Sequence, residues 1–404
     1  MKEVSGISQV GPEARSGSWS GVLAMSLGAF ALIASEFMPV SLLTPIAADL
    51  QSSEGQAGQA ISVSGAFAVL TSLFISSLTR GLDRKWLLLG LIGVMIVSGS
   101  VVSVAPNYLI FMLGRALIGV VIGGFWSMSA ATVMRLVEEH HVPRALAILN
   151  GGNALATVIA APAGSFLGGL IGWRGAFFCV VPVAVIVFLW QLVSLPSMTS
   201  GKTHASPNVF RLLKKPLVAV GMAGAGLFFM GQFSLFTYVR PFLEIVAHVN
   251  VSTLSFILLL IGVSGLVGTL LIGGLLKNSV YPVLIIIPFI MALLVVGLLC
   301  LGKSIVMSAV ILTIWGLFAT SAPVGWWTWL ARTLPNDAEA GGGLMVAVVQ
   351  LAITMGATCG GILFDGSGYR ATFGVSALIL IAASLSALMA NRIYKRGVYV
   401  AILK

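Results

Sequence analysis

Apolar stretches of about 20 residues recur along the whole chain, and this is the length that an α-helix needs to cross a lipid bilayer. Only 8% of the 404 residues are charged and 58% are hydrophobic, whereas a soluble domain carries about 25% charged residues. The chain therefore has too few polar side chains to cover a globule in water, and most of its surface must face lipid. The sequence also lacks the segments of about ten residues with alternating polarity that mark a membrane β-barrel.

We predict an all-α membrane protein with twelve spanning helices. The predicted spans are residues 20–45, 57–79, 86–105, 108–136, 144–171, 175–195, 216–241, 253–276, 281–301, 305–331, 341–364 and 371–391. Of the 22 lysines and arginines, 17 fall on the side of the N-terminus, four fall on the opposite side, and Arg115 falls inside a span. Cytoplasmic loops carry an excess of basic residues, so this bias predicts that both termini are cytoplasmic.

The second half of the sequence repeats the first at a shift of about 196 residues. The motif GWRGAF at 172–177 falls on GYRATF at 368–373, and Glu36 falls on Gln232. Several matches in the same order predict two pseudo-symmetric bundles of six helices each.

The longest polar connection, residues 196–215, divides the chain nearly in half. We therefore predict a cytoplasmic N-terminal tail at 1–19, a first six-helix bundle at 20–195, a cytoplasmic linker at 196–215, a second six-helix bundle at 216–391 and a cytoplasmic C-terminal tail at 392–404.

Two motifs inside the predicted spans resemble those of a large transporter family. LGRALIGVVIGG at 113–124 is similar to the fourth-helix motif of the major facilitator superfamily, and AAPAGSFLGG at 160–169 is similar to the fifth-helix motif of its antiporters. The resemblance covers essentially the whole chain. It implies the fold of that family, in which two six-helix bundles enclose a substrate site near the middle of the bilayer.

Further motifs resemble the proton-coupled drug and metabolite exporters of this family, and most closely the subgroup that exports purine ribonucleosides. These motifs are EFMPVSLLTPIAADL, SEGQAGQ, GGFWSMSA, APAGSFLG and TYVRPFLE. The resemblance implies a monomeric proton antiporter in the bacterial inner membrane that exports a small neutral metabolite. An exporter of sugars or drugs, and a proton symporter, remain open as alternatives.

Glu36 is the only one of the 12 acidic residues well inside a predicted span, and Arg115 is the only such basic residue. Ionisable groups inside a membrane are costly and commonly serve proton relays. At 1.5 Å per helical residue, Glu36 lies roughly 14 Å and Arg115 roughly 10 Å from the outer end of its helix. We predict that Glu36 binds the coupled proton and that Arg115 pairs with it. A structural Glu36 and an Arg115 that caps backbone carbonyls are the alternatives.

Polar and aromatic residues share helix faces where lipid contact would favour Leu and Val. At a shift of 197 residues Asn153 falls on Gln350, and such amides present a donor and an acceptor to a nucleobase or to sugar hydroxyls. Tryptophan rings suit stacking on a flat substrate. The predicted substrate-binding residues are Phe37, Trp126, Asn153, Thr157, Gln232, Phe236, Trp315, Trp326, Gln350 and Thr354. Interhelical hydrogen bonds and an interfacial aromatic belt are the alternatives.

Two regions resemble gating elements of the family. RGLDRK at 80–85 is a compressed form of the charged loop between the second and third helices, and the proline of the fifth-helix motif bends that helix next to glycines. The predicted gating residues are Asp83, Arg84, Lys85, Pro162 and Gly164. Close packing of small residues explains the glycine and proline positions equally well.

Other functional classes fit the sequence less well. The four histidines fall in predicted loops or at span ends, and we identify no intramembrane Ser–His pair, metal-ligand cluster or phosphate-binding loop. We therefore predict no enzymatic activity, metal or cofactor. The net charge of +10 is spread over short loops, which indicates membrane topology rather than nucleic-acid binding. The predicted partners are the substrate, protons and lipid, and a non-transporting membrane receptor remains an alternative.

Overall fold

Helices make up nearly all of the described chain. The computed structural model describes residues 18–78, 82–198, 209–277, 279–335 and 337–402, and these ranges contain helices and turns but no strands. The α-helices are α1 (Trp19–Asp49), α2 (Glu54–Leu78), α3 (Arg84–Ser103), α4 (Tyr108–Leu136), α5 (Val142–Phe178), α6 (Val180–Ser194), α7 (Pro216–Phe236), α8 (Val239–Ile245), α9 (Val251–Leu276), α10 (Tyr281–Leu301), α11 (Ile305–Thr333) and α12 (Ala338–Ile402).

These helices form twelve membrane spans within the described residues, as predicted. Ten helical runs are long and apolar enough to cross a membrane. Two of them, residues 144–194 and 340–396, are 51 and 57 residues long, and each contains two spans because its backbone turns at a glycine. Gly172 (φ 75°) and Gly368 (φ 76°) adopt the left-handed conformation that L-residues with side chains avoid. Both glycines belong to the repeated sequence motifs, so the duplication extends to the backbone conformation.

Several element boundaries differ from the prediction by a few residues, and two of the differences change how the chain is divided into helices. The seventh predicted span, 216–241, is broken after α7, and the chain continues as α8 to Ile245. Pro241 does not end this segment, because it lies in the first turn of α8, where no helical partner for its missing N–H is needed. At the other boundary, α12 extends through most of the predicted C-terminal tail to Ile402. Residues 1–17 of the predicted N-terminal tail and residues 199–208 of the predicted linker lie outside the described residues.

Each half of the chain contains its own hydrophobic core. One buried cluster is built mainly from α1 to α6 and includes Phe111 and Phe125. The other is built mainly from α7 to α12, and Val40, Ile61 and Ala161 of the first half also belong to it. Tyr238 is the one residue of the second half that belongs to the core of the first. The domain boundaries themselves stay a prediction.

The two ends of the bundle differ in how they connect the halves. We call the end that carries Trp19 the terminal end, and the opposite end, which carries Ser53, Gly172 and Gly368, the distal end. The halves meet where α2 packs on α12, α5 on α9 and α1 on α8. The hydrogen bonds described between the halves lie in the distal part and near the middle of these helices.

Candidate functional site

A cavity lies between the halves, where α1 and α5 of the first half face α7, α9 and α11 of the second. Aromatic rings form much of its wall. Phe37 stacks on Phe233 across the boundary between the halves, with ring centroids 5.7 Å apart. Phe236 stacks on Trp315 at 5.8 Å within the second half. Alanine and glycine residues of α5, α9 and α11 form much of the remaining wall. The cavity therefore offers ring faces and room for a flat ligand.

Half of the predicted substrate-binding residues line this cavity: Phe37, Thr157, Gln232, Phe236 and Trp315. Their helical spacing explains the convergence, because residues four apart, such as Gln232 and Phe236, share one face of a helix. Repetition of the fold then brings α1 and α7, which are equivalent in the two halves, to the same cavity.

Gln350 and Thr354 lie on α12 against α2 rather than in the cavity wall. The Thr354 hydroxyl donates to the Gln350 carbonyl at 2.8 Å and lies 3.4 Å from the Ser62 carbonyl. One turn further, the Thr358 hydroxyl bonds to the Ser62 hydroxyl at 2.9 Å. These residues form a polar contact between the halves, which we call the α2–α12 seam (Gln59, Ser62, Gln350, Thr354 and Thr358).

Three other predicted substrate-binding residues are not among those that line the cavity. Trp126 is partly exposed and packs edge-on against Phe125. Asn153 is partly exposed on α5. Trp326 is buried inside the second half, where it packs over Gly224 of α7. Trp326 shares a helix face with Trp315, but three turns of helix carry it away from the cavity toward the terminal end.

Arg115 binds the backbone of α1. It donates from Nη1 to the Ser35 carbonyl at 2.8 Å, from Nη2 to the Glu36 carbonyl at 3.0 Å, and from Nε to the Ala60 carbonyl of α2 at 3.3 Å. The Ser35 carbonyl is available because Pro39, four residues later, has no N–H to donate. This geometry agrees with the alternative in which Arg115 caps backbone carbonyls. The described residues contain no ion pair between its guanidinium and the Glu36 carboxylate.

Glu36 is buried beside the cavity, with 4% of its surface exposed. It is the only buried acidic residue in the described part of the chain. The Arg115 charge acts on its carboxyl, and the side chain of Gln350, from the second half, lies close to it. The next residue, Phe37, lines the cavity. Glu36 thus lies between the cavity and the α2–α12 seam, where it contacts both halves.

A second proline and arginine repeat this arrangement at the distal end. Pro45 leaves the Ser41 carbonyl without a helical donor, and Arg240 of α8 donates to that carbonyl across the boundary between the halves. Arg240 is buried and pairs with Glu244 at 2.8 Å. The sequence placed Arg240 among the loop residues of the outer side. At the repeat shift of 196 residues Arg240 falls on Thr44, which lies inside the predicted span 20–45. This match was the available indication that Arg240 enters the bundle.

The two predicted gating residues of α5 have different surroundings. Pro162 frees the Val158 carbonyl, and a side chain at Gly262 of α9 would meet the backbone of Val158, so the helices of the two halves touch there. Gly164 instead faces Ser41 of α1, inside the first half. Only Pro162 is therefore associated with the contact between the halves.

The remaining predicted gating residues lie at the terminal end. The Asp83 carboxylate caps α3 by accepting from the backbone N–H of Lys85 at 2.8 Å. It also accepts from the Ser197 hydroxyl and from the backbone N–H of Met198, while the backbone N–H of Arg84 donates to the Met198 carbonyl. Burial raises the pKa of the Asp83 carboxyl, but these hydrogen bonds and the Lys85 charge outweigh it, so the pKa is lower than the ordinary value.

One group of side chains at the terminal end has metal-ligand chemistry. The donor atoms of Glu138, His140 and His141 lie within 4.8 Å of one another. Glu138 and His140 are exposed and contact each other at 3.4 Å. This is the geometry of a surface pair, and we assign it no part in the function.

Sequence reasoning missed the residues that hold the halves together at the distal end. Asp365 of α12 accepts from the Ser53 hydroxyl at 2.5 Å and from the backbone N–H of Gly55 at 2.9 Å, so it caps α2 from the other half. Tyr238 donates to the Ala357 carbonyl at 2.7 Å and lies over Gly58 of α2. No periodicity of a single helix predicts such contacts, because they arise only when the halves meet.

Two pseudo-symmetric halves of six spans, with a cavity at their interface, are the architecture of a membrane transporter. Residues 25–353 match the Major Facilitator Superfamily, and the chain belongs to this family. The protein is therefore a multi-pass membrane transporter and not an enzyme.

Known proteins similar to this chain carry two different kinds of name. The transcription regulatory protein OpdE of Pseudomonas aeruginosa is 61% identical over 382 residues, which are 93% of this chain and 95% of that protein. The purine ribonucleoside efflux pump NepI of Salmonella enteritidis is 41% identical over 368 residues, 91% of this chain and 93% of that protein. A solved bacterial homologue of the human lysosomal transporter Spinster, inward-facing and unoccupied, shares the fold with a TM-score of 0.75 and 16% identity, covering 94% of this chain and 98% of that one.

Proposed function

We propose that this transporter exports purine ribonucleosides in exchange for protons, by alternating access, across a bacterial inner membrane with both termini in the cytoplasm. The name of the Salmonella relative supports the substrate class. The aromatic cavity with the Gln232 amide in its wall suits a flat polar base joined to a sugar. The excess of basic residues on the side of the N-terminus supports the orientation. With this orientation, the described hydrogen bonds between the halves lie in the outer part and near the middle of the bundle.

The observation that carries the proposal is the position of Glu36. A buried charge is costly, so a carboxyl that takes up a proton can change which of its neighbours it binds. Its neighbours here belong to both halves, namely Arg115 in the first and Gln350 in the second. In the proposed mechanism, protonation of Glu36 alters its interaction with the nearby Gln350 side chain and thereby links proton binding to relative movement of the halves. Arg115 acts as a positioning residue, because it fixes the backbone on which Glu36 stands.

Transport by the purified protein in lipid vesicles tests both parts of the proposal. A panel of inosine, adenosine, guanosine, pentoses and cationic drugs at two pH values identifies the substrate class. Glu36→Gln is expected to abolish movement driven by a pH gradient but to retain exchange of labelled for unlabelled nucleoside. Exposed Glu138→Gln is the matched control and should behave as the wild type. Full pH-driven export by Glu36→Gln would exclude the coupling role, and transport of sugars or drugs instead of nucleosides would exclude the substrate class.

A regulatory function is the second candidate, because the Pseudomonas relative is named as a transcription regulatory protein. The two candidates predict different results in the same vesicles, which contain no transcription machinery. A transporter moves nucleoside there, whereas a receptor without transport activity only binds it. A regulatory effect that persists in cells when transport is lost in Glu36→Gln would separate signalling from transport.

A further inference from the structure

Two polar atoms in the cavity wall have no hydrogen-bond partner among the described residues. They are the carbonyl oxygen of the Gln232 side chain and the indole Nε1–H of Trp315. Gln232 is 8% exposed and Trp315 is 1% exposed, and a buried polar group without a partner costs free energy. The hydroxyls of the same wall differ, because Thr157 donates to the Asn153 carbonyl at 2.9 Å and Thr320 to the Gly316 carbonyl at 3.3 Å. Two residues that line the cavity therefore carry one unused acceptor and one unused donor.

The Trp315 ring is held in place by its neighbour. Phe236 stacks on it with an interplanar angle of 17°, and Phe236 in turn meets Phe233 edge-on. Stacking restricts rotation of the indole, so its N–H keeps a fixed direction. An indole N–H can only donate, whereas the Gln232 oxygen can only accept. A ligand that presents an acceptor to the indole N–H and a donor to the amide oxygen would satisfy both groups.

An indole without a partner is not by itself a recognition site. Trp326 and Trp329 of α11 also have unpaired N–H groups in the described structure, but neither lines the cavity, and they pack over Gly224 and Gly221 inside the second half. Trp315 differs because it lines the cavity together with an unpaired acceptor. The inference rests on the presence of both unpaired groups on residues that line the same cavity.

We propose that Trp315 and Gln232 read the base of the substrate and select 6-oxopurine nucleosides, such as inosine and guanosine. This inference rests on the proposed transport of purine ribonucleosides. The Trp315 N–H donates to the carbonyl oxygen at position 6, and the Gln232 oxygen accepts the N1–H of the same base. Adenosine carries an amino donor where inosine has the carbonyl. Because the indole cannot accept a hydrogen bond, Trp315 offers that amino group no partner.

Analogues that lack one base group at a time, measured by nucleoside exchange without a pH gradient, test this assignment. 1-Methylinosine lacks the N1–H, and purine riboside lacks both the N1–H and the oxygen at position 6. We expect the wild type to transport inosine about tenfold better than 1-methylinosine, and 1-methylinosine better than purine riboside. Each lost hydrogen bond leaves a buried group of the protein unpaired. Gln232→Met should remove the preference for inosine over 1-methylinosine. Trp315→Phe should remove the preference for 1-methylinosine over purine riboside.

The matched control is Trp329→Phe, which removes an equally buried indole N–H on the same helix and should keep all wild-type preferences. The ratio of the transport rates of two substrates does not depend on the amount of folded protein. A variant that yields less folded protein therefore still gives an interpretable preference. If Trp315→Phe is inactive, equal transport of inosine and purine riboside by the wild type still overturns the inference. Failure of the wild type to transport any nucleoside overturns the proposed function instead. If both variants transport nucleosides with the wild-type preferences, Trp315 and Gln232 do not recognise the base, while the proposed transport of nucleosides stands.

Discussion

The distal and terminal ends of the bundle are held together in different ways. At the distal end, side chains of one half bind backbone of the other: Asp365 caps α2, and Arg240 binds the freed Ser41 carbonyl. At the terminal end, the described contacts join elements of the same half. The Ser18 hydroxyl donates to the Ser194 carbonyl at 3.0 Å, and Lys215 pairs with Asp337 at 3.1 Å.

This difference divides the contacts into two groups. One group determines which conformation the two halves adopt, and the other determines how stable each half is. Alternating access requires the halves to part at one end while each half stays intact. Distal contacts must therefore be broken and remade during transport, whereas terminal contacts inside one half can persist throughout. A substitution at a distal contact between the halves should shift the balance of conformations. A substitution at a contact within one half should change only how easily that half unfolds.

The largest effect is expected from Gly262→Val, which disrupts a close backbone contact between α5 and α9. A side-chain carbon at position 262 would lie 2.7 Å from the Val158 Cα and 2.8 Å from its carbonyl oxygen. Backbone cannot yield as a flexible side chain does, and overpacking of this kind costs about 1–3 kcal/mol. The distal end should therefore open, and nucleoside exchange should fall about tenfold or more. Spin labels at the exposed distal positions Val104 and Val306, in a variant without native cysteines, should show a longer distance.

Gly273→Val on the same helix is the control for this prediction. A side chain there would meet nothing within 4 Å, so the label distance and exchange should match the wild type. An unchanged distance in Gly262→Val, with the protein folded, would mean that the α5–α9 contact does not keep the distal end closed.

Asp365→Ala is expected to shift the same equilibrium by a smaller amount. It removes the acceptor for Ser53 and for the Gly55 N–H, and the loss of a helix cap costs about 1 kcal/mol, or about fivefold in population. The label distance distribution should broaden toward open conformations. Asp49→Ala is the matched control, because Asp49 is also a distal acid but binds Trp173 and Arg174 of its own half. A shift of equal size in Asp49→Ala would remove the distinction between contacts across the halves and contacts within one half.

Features that belong to one helix could be predicted from the sequence, and features that arise between the halves could not. The twelve spans follow from apolar length, and the turns at Gly172 and Gly368 lie in the repeated motifs. The burial of Glu36 follows from its position in an apolar run. In contrast, the polarity of Ser62 gives no indication that its partner is Thr358, almost 300 residues away. The helical period of the sequence predicts which residues share a face of a helix. The residues that this face contacts are determined only when the two halves pack together.

The arginine contacts show what an added physical rule could recover. Each proline inside a helix leaves the carbonyl four residues earlier without its donor, and a buried carbonyl requires a partner. In α1 this rule identifies Ser35 and Ser41, and these are the carbonyls bound by Arg115 and Arg240. The predicted direct pairing of Arg115 with Glu36 rested on their opposite charges, with the capping of backbone carbonyls by Arg115 as the alternative. It did not count the carbonyls that Pro39 and Pro45 leave free.

The smallest effect is expected from Asp83→Ala at the terminal end, where the carboxylate joins α3 to the segment after α6. Loss of this cap should lower unfolding stability by up to about 1 kcal/mol, since the site is partly exposed, and should leave the distal label distance unchanged. Because the folded-state pKa of Asp83 is lowered, its ionised form stabilises the fold above the ordinary carboxyl pKa of about 3.9. That contribution is lost as the pH falls through the folded-state pKa. The difference in unfolding temperature between wild type and Asp83→Asn should therefore be constant near pH 7 and shrink in acid. A changed label distance in either variant would show that this terminal contact also sets conformation.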